Sequence, residues 1–197
     1  MKTVLLVIVS IILFGFGTAF WSLGTYNRLV DKDETVSAAW AQVQNAYQRR
    51  ADLIPNLVET VKGAAKFERD TLREVAQARA AATGITLKSE DLGDEAKLAA
   101  FDKAQSSFSG ALGRLLVSLE KYPDLKATEN FRDLQGQLQQ TEDEIAVGRH
   151  NFNEVAASYN AYLRMVPASL IARRGGFKSR AYFKSEDGAE RAPKVKF

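Results

Sequence analysis

The N-terminal part of the chain carries a long apolar run. No charged residue lies between Lys2 and Arg28, and the twenty residues from Val4 to Leu23 are predominantly apolar. A helix of that length rises about 30 Å, which matches the hydrocarbon thickness of a bilayer. Trp21 stands near its C-terminal end, where amphipathic rings favour the membrane interface. The pattern therefore predicts a transmembrane helix.

A cleaved signal peptide is the alternative interpretation of this run. Its small-x-small site would be Gly17-Thr18-Ala19, followed by the bulky Phe20 and Trp21, and no lipobox cysteine is present. These features favour a retained anchor over residues 1–24. The flanking charges are balanced, with Lys2 on one side and Arg28 and Lys32 on the other. We expect the N-terminus inside and the following domain outside the cytoplasm.

From about Thr25 the apolar positions recur at alternating spacings of three and four residues. This period is typical of helices that pack in bundles or coiled coils. The predicted seam consists of Tyr26, Leu29, Asp33, Val36, Trp40, Val43, Tyr47, Arg50, Ile54, Leu57, Val61, Ala64, Glu68, Thr71, Val75 and Ala78.

Pro55 interrupts this seam, because proline lacks the N–H that bonds the carbonyl four residues earlier. Asp52 has the side chain of an N-cap, which would place Pro55 in the first turn of a new helix. The sequence therefore predicts either two helices or one long helix kinked over residues 50–55. Thr83-Gly84 ends the segment.

Two further amphipathic helices follow a predicted loop at residues 84–95. The first runs over residues 94–121, with an apolar stripe of Phe101, Phe108, Leu112, Leu115, Leu119 and Tyr122. The last has the stripe Phe131, Leu134, Leu138, Thr141, Ile145, Gly148, Phe152, Val155, Tyr159, Tyr162 and Val166, and Pro167 ends it. Short connections between long amphipathic helices predict an all-α antiparallel bundle of three to four helices over residues 25–172.

The tail over residues 173–197 differs in charge from the rest of the chain. Its net charge is +5 while the whole chain carries +3. The Gly175-Gly176 pair argues against a helix, so we expect an irregular tail. Its aromatic residues are expected to pack on the bundle while its charges stay in water. The alternatives are contact with anionic lipid and, less favoured because no RNA-binding motif is present, contact with nucleic acid.

Composition excludes several classes of site. The 197 residues include no cysteine and one histidine, His150. Disulfides, thiolate nucleophiles, Cys-ligated zinc and His-rich metal sites are therefore excluded. A di-metal carboxylate site built on Glu120 and Glu142 fails because that scheme needs a Glu-x-x-His pair on each of two helices. No phosphate-binding, dinucleotide-binding or hydrolase motif is present. We predict no catalytic residues, no metal and no cofactor.

Polar residues on or beside the apolar seams are the remaining candidates. Asn153 and Asn160 are seven residues apart and each follows an aromatic residue, as does Asn27. Polar groups at bundle seams fix register and partner choice, and the alternative is a recognition surface. If Arg50 faces the core, it should find an acidic or carbonyl partner. The full candidate set is Arg49, Arg50, Asp52, Asn56, Glu142, Arg149, Asn153 and Asn160.

Several blocks of the sequence resemble the LemA family of bacterial membrane-anchored proteins. They are YNRLV at 26–30, WAQVQNAYQRRADLIPNLVETVKG at 40–63, LLVSLEKYPDLKA at 115–127, LQGQLQQTEDEIAVGRHNFNEV at 134–155 and YNAY at 159–162, with YF at 182–183 and VKF at 195–197. The resemblance implies a transmembrane anchor, a soluble helical bundle, the bacterial inner membrane and no established enzymatic activity.

Two functions fit these observations. The first is a membrane-tethered interaction or scaffolding protein, self-associating or bound to protein partners. The second is a cryptic hydrolase or signalling enzyme that uses Arg49, Arg50, Asp52 and Glu142. The absence of cysteine and the single histidine favour the first.

Overall fold

The computed structural model describes residues 2–62 and 69–184, and every regular element within them is helical. The elements are α1 (Lys2–Lys62), α2 (Arg69–Thr83), a 3₁₀ turn (Ser89–Gly93), α3 (Glu95–Ser118), a second 3₁₀ turn (Leu119–Lys121), α4 (Pro123–Lys126), α5 (Glu129–Arg164) and α6 (Ala168–Gly175). The predicted all-α class is confirmed. Within the predicted loop, Asp94 caps α3 by accepting from the backbone N–H groups of Ala96 and Lys97.

The four longer elements form an up-down-up-down bundle. Helix α1 makes its most extensive contacts with α5, and α2 with α3. The α1–α5 pair is antiparallel, since Arg49 pairs with Glu144 while Lys32, seventeen residues earlier, bonds Ser158. Gly148 lets the two helices approach closely, because a Cβ there would lie 3.4 Å from the Val43 side chain. The predicted antiparallel bundle is confirmed.

Helix α1 runs through Pro55 without a break, so the structure has the single long helix, one of the two predicted alternatives, and not the pair of helices. The proposed Asp52 cap is wrong: its side chain instead accepts from Gln48, one turn earlier in the same helix. Pro55 cannot bond the Ala51 carbonyl. Arg79 of α2 donates its Nε–H to that oxygen at 2.8 Å. A neighbouring helix thus satisfies the carbonyl that the proline leaves free, which removes the need for a new helix start.

Two apolar cores are separated by a polar layer. The first gathers around Trp40, Phe101 and Phe152, and the second around Leu57, Phe108 and Phe131. Arg50 lies between them on α1. Of the predicted seam in α1 and α2, the positions that are buried include Leu29, Val36, Trp40, Val43, Tyr47, Arg50, Ile54, Leu57, Val61 and Val75, whereas Tyr26 is exposed and Ala64 and Glu68 lie outside the described residues.

The apolar run forms the first turns of α1. Its large side chains are exposed, from Leu5 through Phe14 to Trp21 and Leu23, because no part of the bundle covers them. Only the backbone of Val4 is described. Among the described residues, α1 is the one helix long and apolar enough to cross a membrane. The helix continues through Gly24, so the anchor and the bundle share a single element.

The chain after α5 departs from the predicted tail in one respect. Helix α6 extends to Gly175, three residues into the segment predicted as irregular, and Gly176 ends it with φ at 76°. That left-handed conformation is accessible to glycine at little cost. Residues 177–184 then run without helix along the bundle, and we call this segment the docked tail. The predicted burial of tail aromatics is confirmed for Phe183; residues 185–197 lie outside the described residues.

Candidate functional site

Arg50 occupies the centre of the polar layer. Its side chain is 1% exposed. Its guanidinium donates to Glu142 Oε1 at 2.8 Å, to Ser109 Oγ at 2.5 Å and to Gln105 Oε1 at 2.7 Å. We call these four residues the Arg50 layer. The prediction that a buried Arg50 would find an acidic partner is confirmed.

Aromatic rings cover the same guanidinium. Its carbon lies 5.1 Å from the centroid of Tyr47 and 4.9 Å from that of Phe108. Rings at this distance attract a cation through their quadrupole and exclude water from it. Burial raises the pKa of Tyr47, while the positive charges of Arg149 and Arg50 oppose that shift. The layer is thus a charged contact between α1, α3 and α5 in which the Arg50 side chain is buried and Glu142 stays partly exposed.

A cleft of about 460 Å³ opens beside the Arg50 layer. Arg149 forms one wall: it pairs with Asp102 at 2.9 Å and its guanidinium carbon lies 4.6 Å from the centre of the Phe183 ring. Most of the residues that line it have charged or polar side chains. The lining comprises Tyr47, Arg50, Gln105, Ser106, Ser109, Glu142, Ile145, Ala146, Arg149, His150, Asn153, Phe183 and Lys184. Four of the eight predicted polar candidates therefore share this cleft.

The cleft is poor in groups for covalent chemistry. His150 is exposed and lies 3.7 Å from Glu154, one turn along the same helix. Arg50 and Arg149 are both held in ion pairs. In the described ranges no group of three or more His, Asp or Glu side chains could hold a metal ion. The geometry supports packing and polar recognition by the helices more than it supports proton transfer or nucleophilic attack.

Asn153 and Asn160 hold the docked tail. Asn153 donates to the carbonyl of Phe183 and accepts from its N–H, both at 2.9 Å. Asn160 makes the same pair of bonds with Arg180, both at 2.8 Å. Seven helical residues rise about 10.5 Å and three extended residues span about 10 Å, so the two spacings match. Asn153 and Asn160 thus bond the docked tail, whereas the sequence predicted that they fix the register of packed helices. Asn27, the third member of the pattern, is exposed.

A partly buried ion pair completes the tail contact. The Arg180 guanidinium reaches Asp33 of α1 at 2.5 Å and the Ser89 carbonyl at 2.8 Å. Burial raises the pKa of the adjacent Tyr159 to about 12, the charge of Asp33 adds to this rise and that of Arg180 opposes it. The Ala181 N–H donates to the Leu92 carbonyl at 2.7 Å. The tail is thereby bonded to α1, α5 and the turn before α3.

The remaining candidates lie on the outer surface. Arg49 pairs with Glu144 at 2.9 Å on the exposed side of the α1–α5 contact. Asp52 and Asn56 are exposed on α1. Arg49 and Asp52 therefore do not join Arg50 and Glu142 in one cluster. The four residues that the hydrolase alternative requires therefore do not lie together.

Sequence reasoning missed Gln105, Ser109, Asp102 and the Asp33–Arg180 pair. Gln105 had a usable signal, because it falls at three-to-four spacing between Phe101 and Phe108 on an otherwise apolar stripe. The Asp33–Arg180 pair joins residues 147 positions apart. No local pattern marks such a contact.

Comparison with known proteins finds relatives of this chain. A family model described as "LemA family" matches residues 39–197. Magnetosome protein MamQ 2 of Paramagnetospirillum magneticum is 26% identical over 181 residues, covering 84% of this chain and 66% of the relative. Magnetosome protein MamQ of Magnetospirillum gryphiswaldense is 29% identical over 174 residues, covering 80% and 64%. Protein LemA of Metamycoplasma hominis is 24% identical over 168 residues, covering 85% and 73%.

The chain spans just under two thirds of the length of the two magnetosome relatives. The family match covers most of the chain, and it includes the Arg50 layer, both tail asparagines and the docked tail. The resemblance seen in the sequence blocks is confirmed, and the chain belongs to the LemA family.

Proposed function

We propose that this chain is a membrane-anchored helical interaction protein, without catalytic activity, that self-associates at the bacterial cytoplasmic membrane. The observation that carries the proposal is the continuity of α1, which joins the exposed apolar run to the bundle without a break. From Leu23 to Lys62 the helix rises about 58 Å. A continuous helix would hold the bundle at a set distance from the bilayer and present its sides to partners.

The anchor and its orientation are tested on the full-length protein in cells. We expect the protein to stay in the membrane fraction during alkaline carbonate extraction, as a spanning helix does. External protease should digest the bundle in intact spheroplasts, because we place it outside the cytoplasm. Release into the soluble fraction would contradict the anchor, and protection from protease would reverse the orientation.

A polar stripe along α1 is the surface we propose for self-association. Its members are exposed and recur at spacings of three and four residues, as required for one face of a helix. They do not contribute to the Arg50 layer or to the docked tail. The stripe consists of Gln42, Asn45, Arg49, Asp52, Asn56 and Glu59.

Cysteine crosslinking in native membranes tests this surface directly, since the chain has no cysteine of its own. We expect Asn45→Cys on the stripe to give disulfide-linked dimers. The matched control is Ser107→Cys, an exposed position on α3 away from the stripe. Equal crosslinking of both variants would show random collision, and no crosslinking of Asn45→Cys would contradict dimerisation through this face.

Other partners have weaker support. The basic residues of α6 and the tail suit anionic lipid, whereas Arg180 is already paired with Asp33 and is unsuited to nucleic acid. The hydrolase alternative has little support, because Arg49 and Asp52 do not lie with Arg50 and Glu142. An activity of the purified protein that Asp52→Asn abolishes, with the fold intact, would be needed to restore it.

A further inference from the structure

The turn between α5 and α6 exposes an unusual amount of apolar surface. Met165 is 56% exposed, Val166 82% and Leu170 64%. On the opposite side of α6, Ala168 and Ala172 are buried against Leu29 of α1. Large apolar side chains exposed together at one end of a bundle call for a covering partner.

The position of this surface relative to α1 identifies the partner. Lys32 of α1 bonds Ser158 of α5. Because α1 and α5 are antiparallel, a step forward along α5 corresponds to a step backward along α1. Met165, seven residues after Ser158, therefore lies level with Thr25, seven residues before Lys32. Thr25 is two residues beyond the end of the apolar run at Leu23, about 3 Å along the helix.

The far end of α6 lies at the same level. The ring of Phe177, which follows the helix, packs edge-on against Tyr26 with centroids 5.5 Å apart. Tyr26 is about 4.5 Å beyond Leu23 along α1. The headgroup region on each side of the hydrocarbon is about 5–8 Å thick, so the two ends of α6 fall within it when the apolar run spans the bilayer.

Charge agrees with this placement. Arg164, Arg173 and Arg174 surround the apolar side chains and are exposed. Leu170 shares a face of α6 with Arg173 and Arg174, three and four residues on. Apolar side chains flanked by arginines are the pattern of helices that lie in the interface of anionic membranes.

We propose that Met165, Val166 and Leu170, with Arg164, Arg173 and Arg174, form an interfacial patch that inserts into the lipid surface beside the anchor. The patch is a second membrane contact, and it fixes the bundle against the bilayer. The inference rests on the proposed membrane anchor, and the experiment below separates the two.

Depth-dependent quenching in proteoliposomes tests the patch on the full-length protein. Single cysteines are introduced as Leu170→Cys, Val147→Cys and Phe14→Cys and labelled with an environment-sensitive fluorophore. Val147 is the matched control: it is 68% exposed, on α5, and about 27 Å from Met165 along the helix. Phe14 reports on the anchor. Lipids carrying a spin label near the headgroup serve as the quencher for Leu170 and Val147. Lipids carrying the spin label deep in the acyl chain serve as the quencher for Phe14, which lies at the middle of the apolar run.

We expect at least about threefold stronger quenching at Leu170 than at Val147, because interfacial helices bury their apolar face in the headgroup boundary. Quenching at Leu170 should be stronger with phosphatidylglycerol than with phosphatidylcholine alone, and Arg173→Gln with Arg174→Gln should abolish that difference. Quenching at Phe14 without quenching at Leu170 overturns the patch and leaves the anchor intact. No quenching at Phe14 overturns the anchor itself. A blue-shifted but unquenched Leu170 label means that protein covers the patch, which also overturns the proposal.

Discussion

The Arg50 layer and the docked tail both depend on polar side chains of long helices, yet they are held by different chemistry. In the layer, one enclosed charge is bonded by three side chains from two other helices. In the tail, two neutral amides each bond both backbone groups of one extended residue. An enclosed charge depends on its counter-ion, whereas each amide contributes a modest and local share. The first arrangement fixes how the helices pack, and the second fixes where the docked tail lies on the bundle.

The largest effect should come from the apolar end of the tail contact. Phe183→Ala removes a buried ring that packs against Trp40 and Phe152. We expect a loss of about 3–5 kcal/mol in the free energy of unfolding, the usual cost of a buried Phe→Ala. Denaturant titration of the full-length protein in mild detergent measures it. The control is Tyr182→Ala, at the exposed neighbouring position, with about 1 kcal/mol expected for its hydrogen bond to Asn160. Equal losses would show that the ring contact does not hold the tail.

The Arg50 layer should respond next, and asymmetrically. Glu142→Ala leaves the buried Arg50 charge without its counter-ion, and we expect a loss of about 3 kcal/mol. Arg50→Met removes the charge itself, and since Glu142 is partly exposed it can regain water. We therefore expect Arg50→Met to cost less than Glu142→Ala, measured by the same denaturant titration.

An exposed pair beside the layer provides the control. Glu144→Ala breaks the Arg49–Glu144 pair between the same two helices, and an exposed pair contributes about 0–1 kcal/mol. A loss as large as that of Glu142→Ala would mean that burial does not distinguish the two pairs. A larger loss for Arg50→Met than for Glu142→Ala would mean that the hydrogen bonds of Arg50 outweigh its charge.

Alkaline pH should lower the free energy of unfolding through Tyr159, which lies beside the Asp33–Arg180 pair of the tail contact. The pKa of Tyr159 is raised to about 12 from an ordinary value of 10.0. Between these two pH values the unfolded chain loses this proton while the folded chain keeps it, so the contribution is intact below pH 10 and lost as pH rises towards 12. The expected loss is on the order of 2 kcal/mol. Unfolding titrations at pH 9 and pH 11.5 should show a smaller drop for Tyr159→Phe than for the unsubstituted protein. Equal drops in the free energy of unfolding for the two proteins would mean that Tyr159 keeps its ordinary pKa in the folded chain.

The heptad pattern predicted the bundle well because it reports on burial, which is a property of single positions. Leu29, Trp40, Phe108 and Phe152 were placed in the core from spacing alone. The same pattern placed Arg50, Asn153 and Asn160 at or beside seams but could not distinguish their roles. A polar residue at a seam can bond either another helix or a non-helical segment that packs against the bundle.

Pro55 shows where local sequence rules fail to predict the fold. The sequence offered a helix break with Asp52 as its cap, by sound local rules. The structure keeps the helix intact because Arg79, 28 residues from Ala51, bonds the freed carbonyl. Long-range partners of this kind overrule local preference, and the Asp33–Arg180 pair is another. Such contacts fix the site, and a local pattern cannot reveal them.

The smallest and most local effect should follow loss of one tail asparagine. Asn160→Ala removes two hydrogen bonds from Arg180, and Asn153→Ala removes two from Phe183. We expect each to raise amide hydrogen exchange at both tail residues about tenfold, corresponding to about 1.4 kcal/mol, and we expect the tail amides to exchange faster than the core amides in every variant. Both amides should respond to either substitution, because the two residues are three apart and separate from the bundle together.

Asn151→Ala is the matched control on the same helix, since the Asn151 side chain donates to Gln42, at 3.4 Å, and not to the described residues of the tail. Faster exchange confined to the residue that lost its own asparagine would mean that the tail opens in pieces. Tail amides that exchange no faster than the core amides would mean that the tail is part of the bundle's cooperative unit. The expected result lies between these two: a tail that opens as one segment from a bundle whose packing is fixed independently by the Arg50 layer.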